Sequence, residues 1–354
     1  MALVEKGRGK YTFSEIQTQA DSWEWVFKRI DEHAMDIKQA VSGTDEVVFT
    51  GCGSAFNISY AVAPFFQKYT GKTCRPVHSS DLMMNPDSFI TGNKSTLIIG
   101  YSRSGNTTES VRALETGKYH GAETVAVVCF SKSSMAEKAH HSIVLEEAVE
   151  KSITTTRSLT SMVLAGNYLA GICAENDEIC RDLKKLPVLA RQKMNQFHDM
   201  GKSIGNDMTI KKFAFLGSGS YYGLAREAQL KVKEMVLLPA DSYVSLDFQH
   251  GPMSNVDGHM LVTILASDAG RKYDIELAKN MKELGGKLLV ICESSEEFDK
   301  YADYMLELNS GLGDGIRNIL YMPVLQYMAY YRSIKEGNDP DNPKNLYYYV
   351  SLIT

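Results

Sequence analysis

Two stretches of this sequence assemble residue types that can do chemistry. The first is Ser102-Arg103-Ser104-Gly105-Asn106-Thr107-Thr108, which follows the apolar run TLIIG and precedes the helix-like ESVRALETG. Four hydroxyls, a flexible glycine and a helix N-terminus converge there. Free backbone N–H groups and the helix dipole favour an anion, and hydroxyls donate further hydrogen bonds, so a phosphomonoester suits the loop. Ser and Thr are also ordinary helix N-caps, but a cap needs one hydroxyl. Arg103 either adds charge to this loop or faces solvent. The second stretch is Glu227, Lys231 and Glu234, at i, i+4 and i+7 of a helix expected over Leu224–Val236, so the three share one face. A solvated ion-pair face is the usual outcome for such a triplet. Here the helix opens from a glycine loop and leads to Asp247-Phe248-Gln249-His250-Gly251-Pro252. The Gly-Pro step stops any helix and sets an imidazole, a group that titrates near neutrality, on a turn. Carboxylate and imidazole are general acid–base groups, although a lone loop histidine is commonly just surface.

The elements that must position these groups come from an internal repeat. EVVFTGCGSAFN (Glu46–Asn57), STLIIGYSRSGNTTES (Ser95–Ser110) and GAETVAVVCFSKSS (Gly121–Ser134) recur as KKFAFLGSGSYYG (Lys211–Gly223), HMLVTILASDAGRKYD (His259–Asp274) and GGKLLVICESSEE (Gly285–Glu297). The offset is about 165 residues, too long for a solenoid, so the chain is a duplicated domain. Each piece is a continuous apolar, β-branched run followed by a helix-like stretch, the pattern of buried parallel strands in βαβ units. The expected fold class is α/β, two tandem domains that are each a parallel sheet flanked by helices. Ligands of such sheets bind beyond the strand C-termini, at Gly51–Ala55, Ser102–Thr108 and Gly217–Tyr222. The expected organisation is an N-terminal helical extension over 1–34, with one helix over Tyr11–His33 packing outside the first domain, then domains at 35–195 and 196–354. Ala174–Gly205 reads as the helical, charged boundary region, GNDPDNP (Gly337–Pro343) as a turn, and Asn345–Thr354 as a closing run. Glu150-Lys151-Ser152-Ile153-Thr154-Thr155-Thr156-Arg157-Ser158 is a second hydroxyl cluster. It reads equally as a capped loop or as a segment closing over the same ligand.

Composition removes several classes. The net charge is −5 without a basic half, which argues against nucleic acid. Met1–Gly9 lacks an apolar signal-peptide core, and no run of ~18 apolar residues suggests a membrane span. The six cysteines form no C-x-x-C pair and have no histidine at zinc-like spacing, so they read as buried thiols of a cytoplasmic protein with no metal. Gly51-Cys52-Gly53 and Gly217-Ser218-Gly219 resemble the start of a dinucleotide fingerprint, but the third glycine is absent in the first and displaced to Gly223 in the second, and no acid follows cleanly at the end of a next strand. Their glycines read as tight turns beside a ligand.

LGSGSYYGLAREAQLKVKE…FQHGP, with the Cys52 loop, the Ser-x-Ser-Gly-x-Thr loop, TTTRS and the NPKNL tail, resembles the isomerase domain of glucosamine-6-phosphate synthase and its relatives in the sugar isomerase (SIS) family. Two such domains account for nearly the whole chain. The resemblance implies that Ser102, Ser104 and Thr107 hold a phosphate, with Arg103 contacting it, and that Ile153 lines the sugar site. It makes Glu234 the base that moves a proton between C1 and C2, makes His250, from a second subunit, the residue that helps open the ring, and has Lys231 and Glu227 orient the sugar. No metal or organic cofactor is implied. The partners implied are a hexose 6-phosphate and further copies of the chain, as a homodimer or larger homo-oligomer. Three departures stand out. Ala2 follows Met1 where the synthase has a catalytic cysteine, so its glutaminase domain is expected to be missing. Tyr348 falls where the synthase has its active-site lysine. Ala55 replaces a serine that touches the sugar, with Ser54 beside it. The expected activity is a phosphosugar isomerase or aminosugar-phosphate deaminase, with a fructosamine-6-phosphate deglycase and a non-catalytic sugar-phosphate sensor as alternatives. A sensor of this family usually carries a DNA-binding domain, and no basic helix-turn-helix is apparent before the first strand.

Overall fold

The computed structural model describes residues 7–352, so most of the charged Met1–Gly9 stretch, Ala2 included, and the last two residues of the closing run lie outside it. The chain forms two parallel five-stranded sheets flanked by helices. Strands β1 (Glu46–Gly51), β2 (Thr73–His78), β3 (Thr96–Ser102), β4 (Glu123–Val128) and β5 (His141–Val144) lie in the order β2-β1-β3-β4-β5. Strands β6 (Lys212–Gly217), β7 (Ala240–Tyr243), β8 (Met260–Leu265), β9 (Lys287–Cys292) and β10 (Tyr304–Glu307) repeat it as β7-β6-β8-β9-β10. The continuous apolar runs become the central strands because both of their faces are covered. Every residue of β1, β3 and β8 is buried. Val48 and Ile98, paired in register, pack with Leu114, Val128 and Met135 on one face, while Phe49 meets Phe66 on the other, at 5.3 Å between ring centres. In the second sheet Ala214, paired with Val262, packs with Leu277 and Met281. In each sheet the strand order reverses beside its first strand, at β1/β3 and at β6/β8, which places the crevice at the strand C-termini there. Among the described residues, no helix is long and apolar enough to cross a membrane.

The chain divides into two compact units. One comprises Thr18–Lys151, Thr155–Pro187 and the tail from Tyr347; the other comprises the described residues up to Gln17, Ser152–Thr154 and Val188–Leu346. The single N-terminal helix expected over Tyr11–His33 is two helices, Lys10–Gln17 and Gln19–Asp31, broken at Thr18. The second packs Trp23, Val26, Phe27 and Ile30 inward, with Trp23 Nε1 donating to Thr160 Oγ1 at 2.9 Å. The first belongs with the second sheet. Its N-terminus is capped by Asp341, which accepts from Thr12 N at 2.7 Å and Tyr11 N at 3.0 Å, satisfying donors that an isolated helix leaves open. GNDPDNP is therefore more than a turn, since it supplies the cap of a helix more than 300 residues earlier in sequence. The boundary region forms the helices Asp177–Leu183 and Leu186–Gly205.

Candidate functional site

The Ser102 loop leaves β3 at the switch point of the first sheet. Ser102 Oγ accepts from Gly105 N and Ser104 Oγ from Asn106 N, both at 3.1 Å, so the serines brace the turn. Gly105 has φ +65°, and a Cβ there would lie 2.1 Å from Ser133 Oγ, so no other residue fits. Thr107 precedes the helix Thr108–Tyr119, and its side chain makes no capping hydrogen bond. Capping therefore does not account for that hydroxyl.

The neighbouring loops meet this one. Gly53, with φ +56°, starts the helix Ser54–Thr70, and Ser54 Oγ accepts from Thr155 Oγ1 at 2.8 Å. The hydroxyl run is organised by a residue that sequence reasoning passed over, Glu150, whose side chain is fully buried. It accepts from Thr156 N at 2.6 Å, from Thr156 Oγ1 at 2.7 Å and from Ser158 Oγ. Its other partner is Arg103, 3.4 Å away. The only local signal was an acid opening the hydroxyl run. Arg103 is itself buried beneath the C-terminal tail. It donates to Tyr348 O at 3.1 Å and lies 3.9 Å from the centre of the Tyr348 ring, whose hydroxyl donates to Glu150 O. The structure thus commits Arg103 and Tyr348 to one another and to Glu150. Ile153 belongs to the other unit and is half-buried, its N–H bonded to Asp341 O at 3.0 Å.

The second sheet repeats the scaffold and fills it. Gly219 reproduces Gly53 with φ +57°, and Ser267 Oγ accepts from Gly270 N as Ser102 does from Gly105. Asp268 stands where Arg103 is, and buried Arg317 holds it with two hydrogen bonds, at 2.9 and 2.5 Å. Tyr221 stands where Ala55 is, its hydroxyl on Asp314 at 2.9 Å. In this copy an internal arginine–carboxylate pair therefore stands at the position of Arg103. Asp274, in the first turn of the helix Arg271–Glu283, accepts from Ser267 N at 3.3 Å, and burial raises its carboxyl to about 7. Both states are protonated below about pH 4, and the folded state must bury a charge above about pH 7, so this group costs stability as pH rises between them, by on the order of 4 kcal/mol. Asp274→Asn is expected to raise the melting temperature at pH 8, with the gap to wild type closing towards pH 4 in thermal melts.

The acid–base triplet is not a solvated face. The helix Ser220–Lys231 runs into a π-helical turn, Val232–Val236, closed by Leu237 N on Val232 O at 3.1 Å. The expected α-helix over Leu224–Val236 therefore changes form at its last turn, a feature often found at functional sites. Lys231, fully buried, lies 3.1 Å from the equally buried Glu227 and 2.5 Å from Glu234, whose side chain keeps 20% of its exposure. Burial opposes the Lys231 charge, but the two carboxylates outweigh it and hold the ammonium above its ordinary range. Only Glu234 of the three faces outward. His250 is exposed, on a turn anchored by buried Phe248 and followed by Gly251 at φ +120°. Glu227, Lys231, Glu234 and His250 belong to one unit and Ser54, Ser102, Arg103, Ser104, Thr107 and Tyr348 to the other.

The scaffold is thus a duplicated α/β fold, with a hydroxyl-rich loop in one copy and a Glu–Lys–Glu triplet around a buried lysine in the other. The chain belongs to the SIS domain family, which matches residues 41–170 and 209–334. It is 25% identical over 331 residues to the glutamine–fructose-6-phosphate aminotransferase (isomerizing) of Haemophilus influenzae, covering 90% of this chain and 53% of that protein. The chain thus spans about half the length of such curated relatives. Its fold is also that of the tagatose-6-phosphate ketose/aldose isomerase of Escherichia coli, with a TM-score of 0.85 and 24% identity over 94% of this chain and 95% of that one. It matches the glucosamine-6-phosphate deaminase of Thermotoga maritima with a TM-score of 0.80 and 22% identity over 97% and 100%.

Proposed function

We propose that this chain moves a proton between C1 and C2 of an amino- or keto-hexose 6-phosphate, as an aminosugar-phosphate deaminase or an aldose–ketose isomerase. The observation that carries the reading is the Glu227–Lys231–Glu234 triplet, in which a buried ammonium fixes the one carboxylate that remains partly exposed. A base that removes a proton alpha to a carbonyl or imine needs this arrangement of fixed orientation, neutralised surroundings and access to substrate.

The phosphate is assigned to the loop Ser102–Thr107, where backbone N–H groups and the Thr107 hydroxyl meet a helix N-terminus. Ser54 and Ile153 are assigned to the sugar, and His250, contributed by a second copy of the chain, to ring opening. Glu234 takes the proton from C2 of the open-chain aldose and returns it to C1. With a hydroxyl at C2 the product is the ketose. With an amine at C2 the product is a C2 imine, which water hydrolyses to ketose phosphate and ammonia. Arg103 and Tyr348 support the loop through Glu150 rather than supplying a free cation to the phosphate. The similarity to the isomerizing glutamine–fructose-6-phosphate aminotransferase of Haemophilus influenzae supports this reaction class. Purified protein incubated with glucosamine 6-phosphate, galactosamine 6-phosphate and fructoselysine 6-phosphate is expected to release ammonia from an amino sugar, read by a coupled assay. Free lysine would replace the proposal with deglycation. Silence together with tight sugar-phosphate binding leaves plain isomerisation or a sensor, and interconversion of aldose and ketose 6-phosphates separates those two.

A further inference from the structure

The two copies carry an acid at the same place, in the first turn of the helix that follows the serine loop: Glu109 in the first and Asp274 in the second. Their environments differ. Asp274 is buried, is turned back onto Ser267 N, and lies in a copy whose crevice is filled by Asp268, Arg317 and Tyr221. Glu109 is one methylene longer and only half-buried, yet its Oε2 is shut off from solvent and has no hydrogen-bond partner. A buried carboxylate oxygen without a partner is costly, and such an oxygen needs a reason.

Its surroundings place it at the β1/β3 switch point. Ser110, the next residue, donates to Cys52 Sγ at 3.6 Å, and Cys52 lies in the glycine turn that leaves β1. Burial raises the Cys52 thiol, and the nearby Glu109 charge raises it further. A hydroxyl row, Thr50–Ser79–Ser110, with spacings of 3.0 and 3.4 Å, runs beneath. These hydroxyls and the thiol carry no charge to offset Glu109. An anionic carboxylate beside a loop suited to a dianionic phosphate is repulsive unless a cation comes with the phosphate. Arg103 cannot play that part, being engaged with Glu150 and Tyr348.

We propose that Glu109 is a specificity residue that pairs with the ammonium group of the substrate and so selects amino-hexose 6-phosphates over their neutral counterparts. The proposal rests on the reading of the chain as a hexose 6-phosphate enzyme and narrows its substrate class. In this account the unsatisfied Oε2 is completed by the substrate amine, and the phosphate and the carboxylate together read a zwitterion.

The test is binding by titration calorimetry, which does not depend on turnover, with glucosamine 6-phosphate and fructose 6-phosphate as probes. The wild-type chain is expected to bind the amino sugar at least about tenfold more tightly, the worth of one charge-assisted hydrogen bond. Glu109→Gln is expected to remove that preference, by weakening the amino sugar and leaving the fructose 6-phosphate affinity equal or tighter as the like-charge repulsion is relieved. Glu109→Asp is expected to restore part of it, and thermal melts of both variants check that they fold. Equal affinities in the wild-type chain, or a parallel loss for both sugars in Glu109→Gln, would overturn the assignment to Glu109 while leaving the sugar-phosphate reading intact. Failure of the wild-type chain to bind either sugar would overturn that reading itself.

Discussion

Glu234→Gln is expected to lower kcat about 10³-fold while leaving the affinity for a hexose 6-phosphate nearly unchanged. The substitution keeps the size of the side chain and its hydrogen bond with Lys231, so the fold and the sugar site are preserved. What is lost is the only group of the triplet that is both basic and partly exposed. Calorimetry and steady-state kinetics on the same preparation separate the two effects. A fall in affinity matching the fall in kcat would mean that Glu234 holds substrate rather than moving a proton. A variant with near-normal kcat would remove Glu234 from the chemistry.

Lys231→Met has the largest expected effect on stability. Lys231 and Glu227 are both fully enclosed, and removing the ammonium takes away the cation 3.1 Å from the buried Glu227 carboxylate. Breaking a buried pair from one side costs about 3–5 kcal/mol. Denaturant unfolding is therefore expected to show a loss of that size. The double variant Lys231→Met, Glu227→Gln is expected to recover most of the stability, because no charge is then buried alone, and to remain inactive, because Glu234 has lost the group that orients it. Full activity in the double variant would show that the pair is a structural element only.

Much of this was legible in the sequence, for identifiable reasons. TLIIG and TVAVVCF had to be central strands because runs apolar on both faces fit only a doubly covered sheet, and the repeat at about 165 residues required a second sheet of the same kind. Glu227, Lys231 and Glu234 were on one face because helical spacing puts them there. The sequence did not show that the face is buried, nor that the last turn widens into a π-turn, since both depend on what packs against the helix. Contacts far apart in the chain left no local trace. Arg103 meets Tyr348 after 245 intervening steps of sequence, Asp341 caps the helix that begins at Lys10, and Glu150 gathers two hydroxyls that looked free for a ligand. The break at Thr18 was hidden for the same reason. The apolar spacing runs on through it, while the two helices serve different units. The inequality of the copies was also hidden, because Asp268 reads as an ordinary loop residue until Arg317 is seen to close on it.

The most direct test of the central claim is isotope exchange. The protein is incubated in D2O with glucosamine 6-phosphate and with fructose 6-phosphate, and the sugars are followed by NMR. Proton transfer between C1 and C2 through Glu234 predicts solvent deuterium at C1 of the ketose phosphate, with no exchange in Glu234→Gln. Sugar that neither gains deuterium nor interconverts between aldose and ketose in the wild-type protein, or deuterium that appears equally in Glu234→Gln, would contradict it.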